Sequence, residues 1–194
     1  MPKPADAHDF EDSLPLLAPP ELEPGTWDLA ARRLLAKMLG EFAYEEIIEP
    51  VPQPPGDLHA LVLDDGATLA FRAVRGAYGS WRVHPDTIEI REHGAGGGAA
   101  ADAGSLPFGD PLRFLVRARR LLALDGATLG HLIRELSATL AADARLGHTA
   151  VSAARLADLG YAELEGHQTG HPWLVLNKGR LGFSATDTAR WAPE

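Results

Sequence analysis

The sequence predicts an α+β fold: an N-terminal helix, an antiparallel meander sheet of about four strands, and then a group of helices. Three observations predict it. Apolar residues recur at helical spacing over residues 27–42, alternate with polar residues over 58–91, and return to helical spacing after residue 110. Because the predicted strands follow one another without intervening helices, the order favours a meander over alternating βαβ units. The chain contains no internal repeat.

The first 25 residues predict a mobile, acidic, proline-rich arm, with a recognition segment as the alternative. They lack hydrophobic periodicity and hold six acidic residues against Lys3, which accounts for five of the nine excess negative charges of the chain. We therefore divide the chain into an arm, residues 1–25, and an α+β region, residues 26–194.

The first helix is predicted from Thr26, a good N-cap residue, to the proline-rich connector at residues 50–55. One face of this helix is apolar, and we expect it to enter the core. Its members are Trp27, Ala30, Ala31, Leu34, Leu35, Met38, Leu39 and Phe42.

Two hairpins are predicted in the sheet. Residues 58–62 and 68–74 flank Asp64-Asp65-Gly66, a typical tight-turn sequence. Residues 80–84 and 87–90 flank Pro85-Asp86 and are expected to pair with each other. Residues 94–105 are rich in Gly and Ala and predict a surface loop.

Three further helices are predicted. The first begins at the Asp110 N-cap and Pro111 and runs to the break at residues 125–126. The second covers residues 129–144 and ends near Gly147, and the third runs from Ser152 to about Leu164. Four arginines cluster on the first of these helices, and they form either a solvated face or an anion-binding face: Arg113, Arg117, Arg119 and Arg120.

Composition excludes several function classes. The absence of Cys removes disulfides, thiolate metal ligands and a thiol nucleophile. No apolar run is long enough for a membrane span, and no signal peptide pattern is present, so we expect a cytoplasmic protein without a membrane partner. A net charge of −9 without a long basic face argues against nucleic acid as the main partner.

The side chains best suited to chemistry lie in residues 165–184. His167 and His171 have the spacing of a helical metal pair, but the glycines between them and Pro172 disfavour a regular helix, so we assign no metal site. An anion cradle fits better. Gly182 and nearby glycines allow close backbone approach, while Lys178 and Arg180 supply a point charge and a planar fork. A structural turn rich in Gly and Pro is the alternative.

The same segment resembles the signature of the IucA/IucC family, the NRPS-independent siderophore synthetases. That signature has the form G-H-P-x-H-P-x-x-K-x-R-x-G followed by an aromatic residue and Ala-Pro-Glu. The chain departs from it at the first His-Pro, which is His167-Gln168 here. The matching segments are Glu165-Gly166-His167, Gly170-His171-Pro172, Lys178-Gly179-Arg180-Leu181-Gly182-Phe183-Ser184 and Trp191-Ala192-Pro193-Glu194.

The resemblance implies a fold and an activity. Family enzymes are far longer, so the resemblance covers an N-terminal portion similar to the thumb of a thumb-fingers-palm synthetase, incomplete at its C-terminus. It implies a ligase that uses ATP and Mg²⁺ to adenylate a carboxylate of citrate or a related acid, and then condenses it with an amine, hydroxylamine or alcohol. We expect this chain alone to be inactive, and to form a homodimer or to associate with the rest of the synthetase.

By that resemblance, the residues expected to bind ATP or the carboxylate are His167, His171, Lys178, Arg180 and Gly182, with no catalytic residue assigned. The cations suit either the α-phosphate or citrate. A function of a different class remains open, namely a non-catalytic module that binds a carboxylate or a partner chain.

Overall fold

A computed structural model describes residues 24–92, 105–148, 151–167 and 174–176. The predicted acidic arm and the Gly-rich loop lie almost entirely outside these residues. The elements follow one another in the predicted order, a helix, an antiparallel sheet and further helices. They are α1 (Pro24–Tyr44), β1 (Val51–Gln53), β2 (Leu58–Val62), β3 (Thr68–Arg75), β4 (Trp81–Val83), β5 (Glu89–Arg91), β6 (Leu106–Pro107), α2 (Pro111–Arg117), α3 (Gly126–His148), α4 (Ala153–Ala157) and α5 (Tyr161–Gly166).

Helix α1 forms the centre of the core. Its predicted apolar face is buried, with Leu35 and Leu39 fully inaccessible, and Trp27 and Phe42 packed at its margins. The helix contacts α2, α3 and β4. Thr26 is not its N-cap, because the helix already begins at Pro24.

The sheet has six strands rather than about four, in the order β1-β2-β3-β5-β6, with β4 paired to β3. The first predicted hairpin is confirmed, because β2 and β3 pair in antiparallel register from Leu58↔Arg72 to Val62↔Thr68. Gly66 in its turn has φ of +83°, a conformation that glycine adopts without strain.

The second predicted hairpin is wrong. Strands β4 and β5 do not pair with each other; both pair with β3, β5 at Thr68–Ala70 and β4 at Ala73–Arg75. The eight residues of β3 are long enough to hold both short strands. The proline-rich connector also contributes a strand, since β1 pairs with β2 despite Pro52. It lies at the end of the sheet, where a missing N–H is tolerated.

Two helix boundaries differ from the prediction. Helix α2 ends at Arg117 rather than near residue 125, because the Arg117 carbonyl accepts a hydrogen bond from the Asp64 N–H at 3.0 Å instead of continuing the helical ladder. The predicted third helix is divided into α4 and α5 at Gly160. Asp110 is an N-cap as predicted, Ser152, the predicted start of the third helix, is the N-cap of α4, and α3 ends at His148.

Candidate functional site

Most of the predicted binding segment lies outside the described residues. This holds for His171, Lys178, Arg180 and Gly182, so the predicted cradle is not tested by geometry. His167 is described. It caps the C-terminal end of α5, its N–H donates to the Leu164 carbonyl at 3.1 Å, and its side chain is exposed to solvent.

The predicted segment is anchored at one described point. Val175 is partly buried and packs against the hydrophobic core, while its neighbours Leu174 and Leu176 are 58% and 39% exposed.

The arginine cluster of residues 113–120 is not a continuous helical face. Only Arg113 and Arg117 are on α2, and the Arg117 side chain is 12% exposed. Its guanidinium group donates through Nε to Asp65 at 2.7 Å and through both terminal nitrogens to Glu92 at 2.7 Å. Arg117 is therefore a structural link between the first hairpin and α2, and it has no free fork for an anion.

These contacts lower the pKa values of the two carboxyl groups that accept from Arg117. The hydrogen bonds from Arg117 hold the pKa values of the Asp65 and Glu92 carboxyl groups below their ordinary range. The neighbouring Asp64 accepts from the N–H groups of Arg120 and Leu121, the latter at 3.0 Å. Asp64 thus bonds the carbonyl of Arg117 and the N–H groups of Arg120 and Leu121, which would otherwise bond within a further turn of α2.

Sequence reasoning missed a groove of about 610 Å³ between α1 and strands β3 and β4. Its walls carry Arg33 and Lys37 from the helix and Arg82 and His84 from β4 and the residue after it, with Glu41 as its acidic member. The spacing of these residues in the sequence was a signal for it. Residues 33 and 37 are one helical turn apart, and residues 82 and 84 are two apart, the spacing of one face of an extended segment.

Among the residues that the structure describes, no cluster of three or more His, Asp or Glu could hold a metal ion. The same part of the chain contains no helix long and apolar enough to cross a membrane.

Comparison with known proteins identifies the family. A sequence model of the IucA / IucC family matches residues 160–194, the segment that contains the predicted cradle. The chain is 35% identical over 169 residues to the rhizobactin siderophore biosynthesis protein RhbF of Rhizobium meliloti (strain 1021), covering 87% of this chain and 26% of that protein. By sequence and by fold, this chain is similar to proteins of the IucA/IucC family.

Further relatives agree. Aerobactin synthase of Escherichia coli is 32% identical over 173 residues, covering 87% of this chain and 27% of that protein. Aerobactin synthetase IucC from a hypervirulent pathotype of Klebsiella pneumoniae shares the fold with a TM-score of 0.70 and 29% identity, over 87% of this chain and 28% of that one. Petrobactin biosynthesis protein AsbB from Bacillus anthracis str. Sterne gives the same TM-score at 21% identity, over 89% and 28% of the two chains.

The recognised family and the α+β fold class are therefore confirmed. The chain spans about a quarter of the length of the curated relatives that it matches, between 26% and 27%.

Proposed function

We propose that this chain is part of a siderophore synthetase, an ATP-dependent ligase that adenylates a carboxylate of citrate or a related acid and joins it to an amine, hydroxylamine or alcohol. One observation carries the proposal. The family model falls on residues 160–194, which hold the two cations and the histidines predicted from sequence to receive an anion. The relatives that match 87–91% of the chain are named as siderophore biosynthesis proteins and synthases.

The chemistry of the predicted side chains fits the negative charge of the substrates. Adenylation transfers the α-phosphate of ATP to a carboxylate oxygen while pyrophosphate departs, so negative charge develops around phosphorus. Lys178 would supply a compact charge, Arg180 a two-pronged donor, and His171 or His167 a further N–H. The glycines would allow backbone N–H groups to approach the same oxygens.

The predicted Lys, Arg and His donors therefore suit the phosphates of ATP, whereas they do not bind Mg²⁺ directly. Magnesium prefers oxygen ligands, and a Lys, Arg and His cluster offers none. In this proposal Mg²⁺ arrives with the nucleotide phosphates and compensates their charge. The described residues contribute scaffold, since α1 and the sheet fix the core against which Val175 packs.

The site assignment is tested by an NMR titration of the isotope-labelled 194-residue chain with ATP and Mg²⁺, and separately with citrate. We expect the amides of residues 166–184 to shift more than those of residues 113–120. Lys178→Ala and Arg180→Ala should each weaken binding about tenfold or more, because each removes a charge-assisted contact. Arg113→Ala, which removes an exposed arginine from α2, is the matched control. Equal shifts in both segments would contradict the assignment.

The activity is tested by ATP–pyrophosphate exchange with citrate and related acids. We expect background exchange from these 194 residues alone, because one cradle supplies only part of the electrostatic environment that a triphosphate requires, and loss of a single such donor costs roughly 10²–10³ in rate. Robust exchange that Lys178→Ala abolishes would show instead that the 194 residues hold a complete site.

A second candidate function, a non-catalytic module that associates with a synthetase chain, is favoured by the surface of α4 and α5. Tyr161 is 95% exposed and Leu164 is 37% exposed, which leaves apolar side chains uncovered by the described residues. The coding sequence after codon 194 discriminates between the two candidates. An in-frame continuation with further synthetase motifs favours the ligase, and its absence favours the module.

A further inference from the structure

We propose that the groove between α1 and strands β3 and β4 is a binding site for a small polyanion that carries at least two phosphate or carboxylate groups. The inference does not rest on the proposed function, because the groove is built from residues 33–41 and 74–85, which are separate in sequence from the predicted cradle. The chain as a whole carries a net charge of −9, so a concentration of cations on one groove needs a specific explanation.

The first step is the state of the arginines. Several arginine side chains already have partners: Arg32 faces Asp86, Arg72 bonds Asp57, Arg117 bonds Asp65 and Glu92, and Arg119 donates to the Leu124 carbonyl. Arg33 and Arg82 resemble instead the exposed Arg91, Arg113 and Arg155, but unlike those three they line one groove. Neither guanidinium group makes a hydrogen bond or ion pair with any residue in the described part of the chain.

The second step is their arrangement. Arg33 belongs to the helical wall of the groove and Arg82 to the strand wall, so a ligand lying between the walls has an arginine on each side. Lys37 lies one helical turn from Arg33, and His84 lies two residues from Arg82. A volume of about 610 Å³ is within the range of small-molecule sites, roughly 300–1,000 Å³. Two separated forks select a ligand with two separated anionic groups.

The third step is rigidity. Helix α1 and strand β4 approach closely, since a Cβ atom on Gly40 would lie 3.0 Å from the Trp81 carbonyl oxygen. The Trp81 ring, which lines the groove, is held by the Arg75 guanidinium group at 4.7 Å and by the His59 ring at 4.9 Å. The backbone walls are therefore held close together, so binding has to order only the side chains that line the groove.

Glu41 is the acidic residue in the groove, and it disfavours an anion beside it. It lies one turn beyond Lys37 on α1, and its charge, with that of Asp143, favours the protonated form of Lys37 while burial lowers the pKa of that amine. Glu41 therefore keeps the Lys37 end of the groove close to neutral. The positive end is the one that contains Arg33 and Arg82, with His84 beside them as a hydrogen-bonding side chain.

The test is a titration of the labelled 194-residue chain with sodium tripolyphosphate in one arm and sodium citrate in the other, followed by amide shifts. We expect saturable shifts at residues 33–41 and 74–85. The probe with the lower Kd identifies whether the site prefers phosphate or carboxylate groups. Absence of saturable shifts at the groove with both probes would overturn the proposal.

Charge variants complete the test. Arg33→Glu combined with Arg82→Glu should raise the Kd about tenfold or more, because two favourable contacts become repulsive. Arg91→Glu combined with Arg155→Glu makes the same change in net charge at exposed residues outside the groove, and should leave the Kd within about twofold. Arg33→Lys with Arg82→Lys keeps the charge without the forks and should give an intermediate Kd. Equal losses in the two Glu pairs would overturn the proposal.

Discussion

Gly40 lies directly against the main-chain carbonyl of Trp81, where a Cβ atom would be 3.0 Å from the oxygen. This contact joins the C-terminal part of α1 to the first residue of β4. Few Cβ atoms in proteins approach a neighbour that closely, and here the neighbour is backbone, which yields less readily than a side-chain end. The identity of residue 40 therefore sets the distance between the helix and the strand.

Gly40→Ala is expected to destabilise the chain by about 1–2 kcal/mol, because overpacking at this contact exceeds the gain in helix propensity. The control is Gly130→Ala in α3, where an added Cβ meets nothing within 4 Å. It should stabilise by about 0.5–1 kcal/mol. Urea unfolding measures both free energies, and a stabilised Gly40→Ala variant would contradict the close contact.

Asp64→Ala is expected to cost about 1 kcal/mol, as loss of a helix cap does, because the Asp64 carboxylate accepts from the N–H groups of Arg120 and Leu121. Asp64→Asn retains a side-chain oxygen and should cost less. Asp86→Ala, at an exposed acid, should stay within about 0.5 kcal/mol. Hydrogen exchange at Leu121 gives an independent measurement, and protection there that is unchanged in Asp64→Ala would count against the bond.

Arg117→Met should flatten the acid branch of the stability curve. Hydrogen bonds from Arg117 lower the pKa values of Asp65 and Glu92 in the folded state. The stability that these two carboxylates contribute is therefore present above their pKa values in the unfolded state, and it is lost as pH falls through their pKa values in the folded state. In Arg117→Met the stability at neutral pH should be lower and its fall on acidification smaller. Arg91→Met is the control for loss of an exposed arginine, and an identical acid branch in both variants would contradict the link.

Asp143→Asn should have the opposite pH signature. Burial raises the pKa of Asp143, and the Lys37 ammonium only partly opposes this effect. Between its unfolded pKa, about 3.9, and its higher folded value, the folded state holds the proton more tightly, so wild-type stability falls as pH rises through that window. The Asn variant should lack this fall, whereas Asp86→Asn should retain it. Urea midpoints measured across that window give the comparison.

The sequence predicted those elements that depend on local pattern. The apolar face of α1, the Asp64-Asp65-Gly66 turn and the Asp110 cap all arise from neighbours within a few residues, and each is present. Strand partnership is not local. Pro85-Asp86 correctly marked a turn, a 3-10 turn over Pro85–Thr87, but the flanking strands pair with β3 instead of each other.

The early end of α2 has the same origin, because the competing donor, the N–H of Asp64, comes from a distant hairpin. For the candidate site, the types and order of residues 165–194 pointed to the IucA/IucC family, and the family model matches residues 160–194. The groove at Arg33 and Arg82 escaped prediction because its two walls are about fifty residues apart in sequence, and only the packing of α1 on β4 brings them together.

The two strands at the ends of the sheet each contain a proline, Pro52 in β1 and Pro107 in β6. Proline has no N–H, so these borders offer another strand at most two donors and one donor, respectively. Stacking of sheets into fibrils requires a long, regular row of unpaired backbone groups. Two prolines at the sheet borders therefore limit the amyloid-like polymerisation to which an open six-stranded sheet would otherwise be prone.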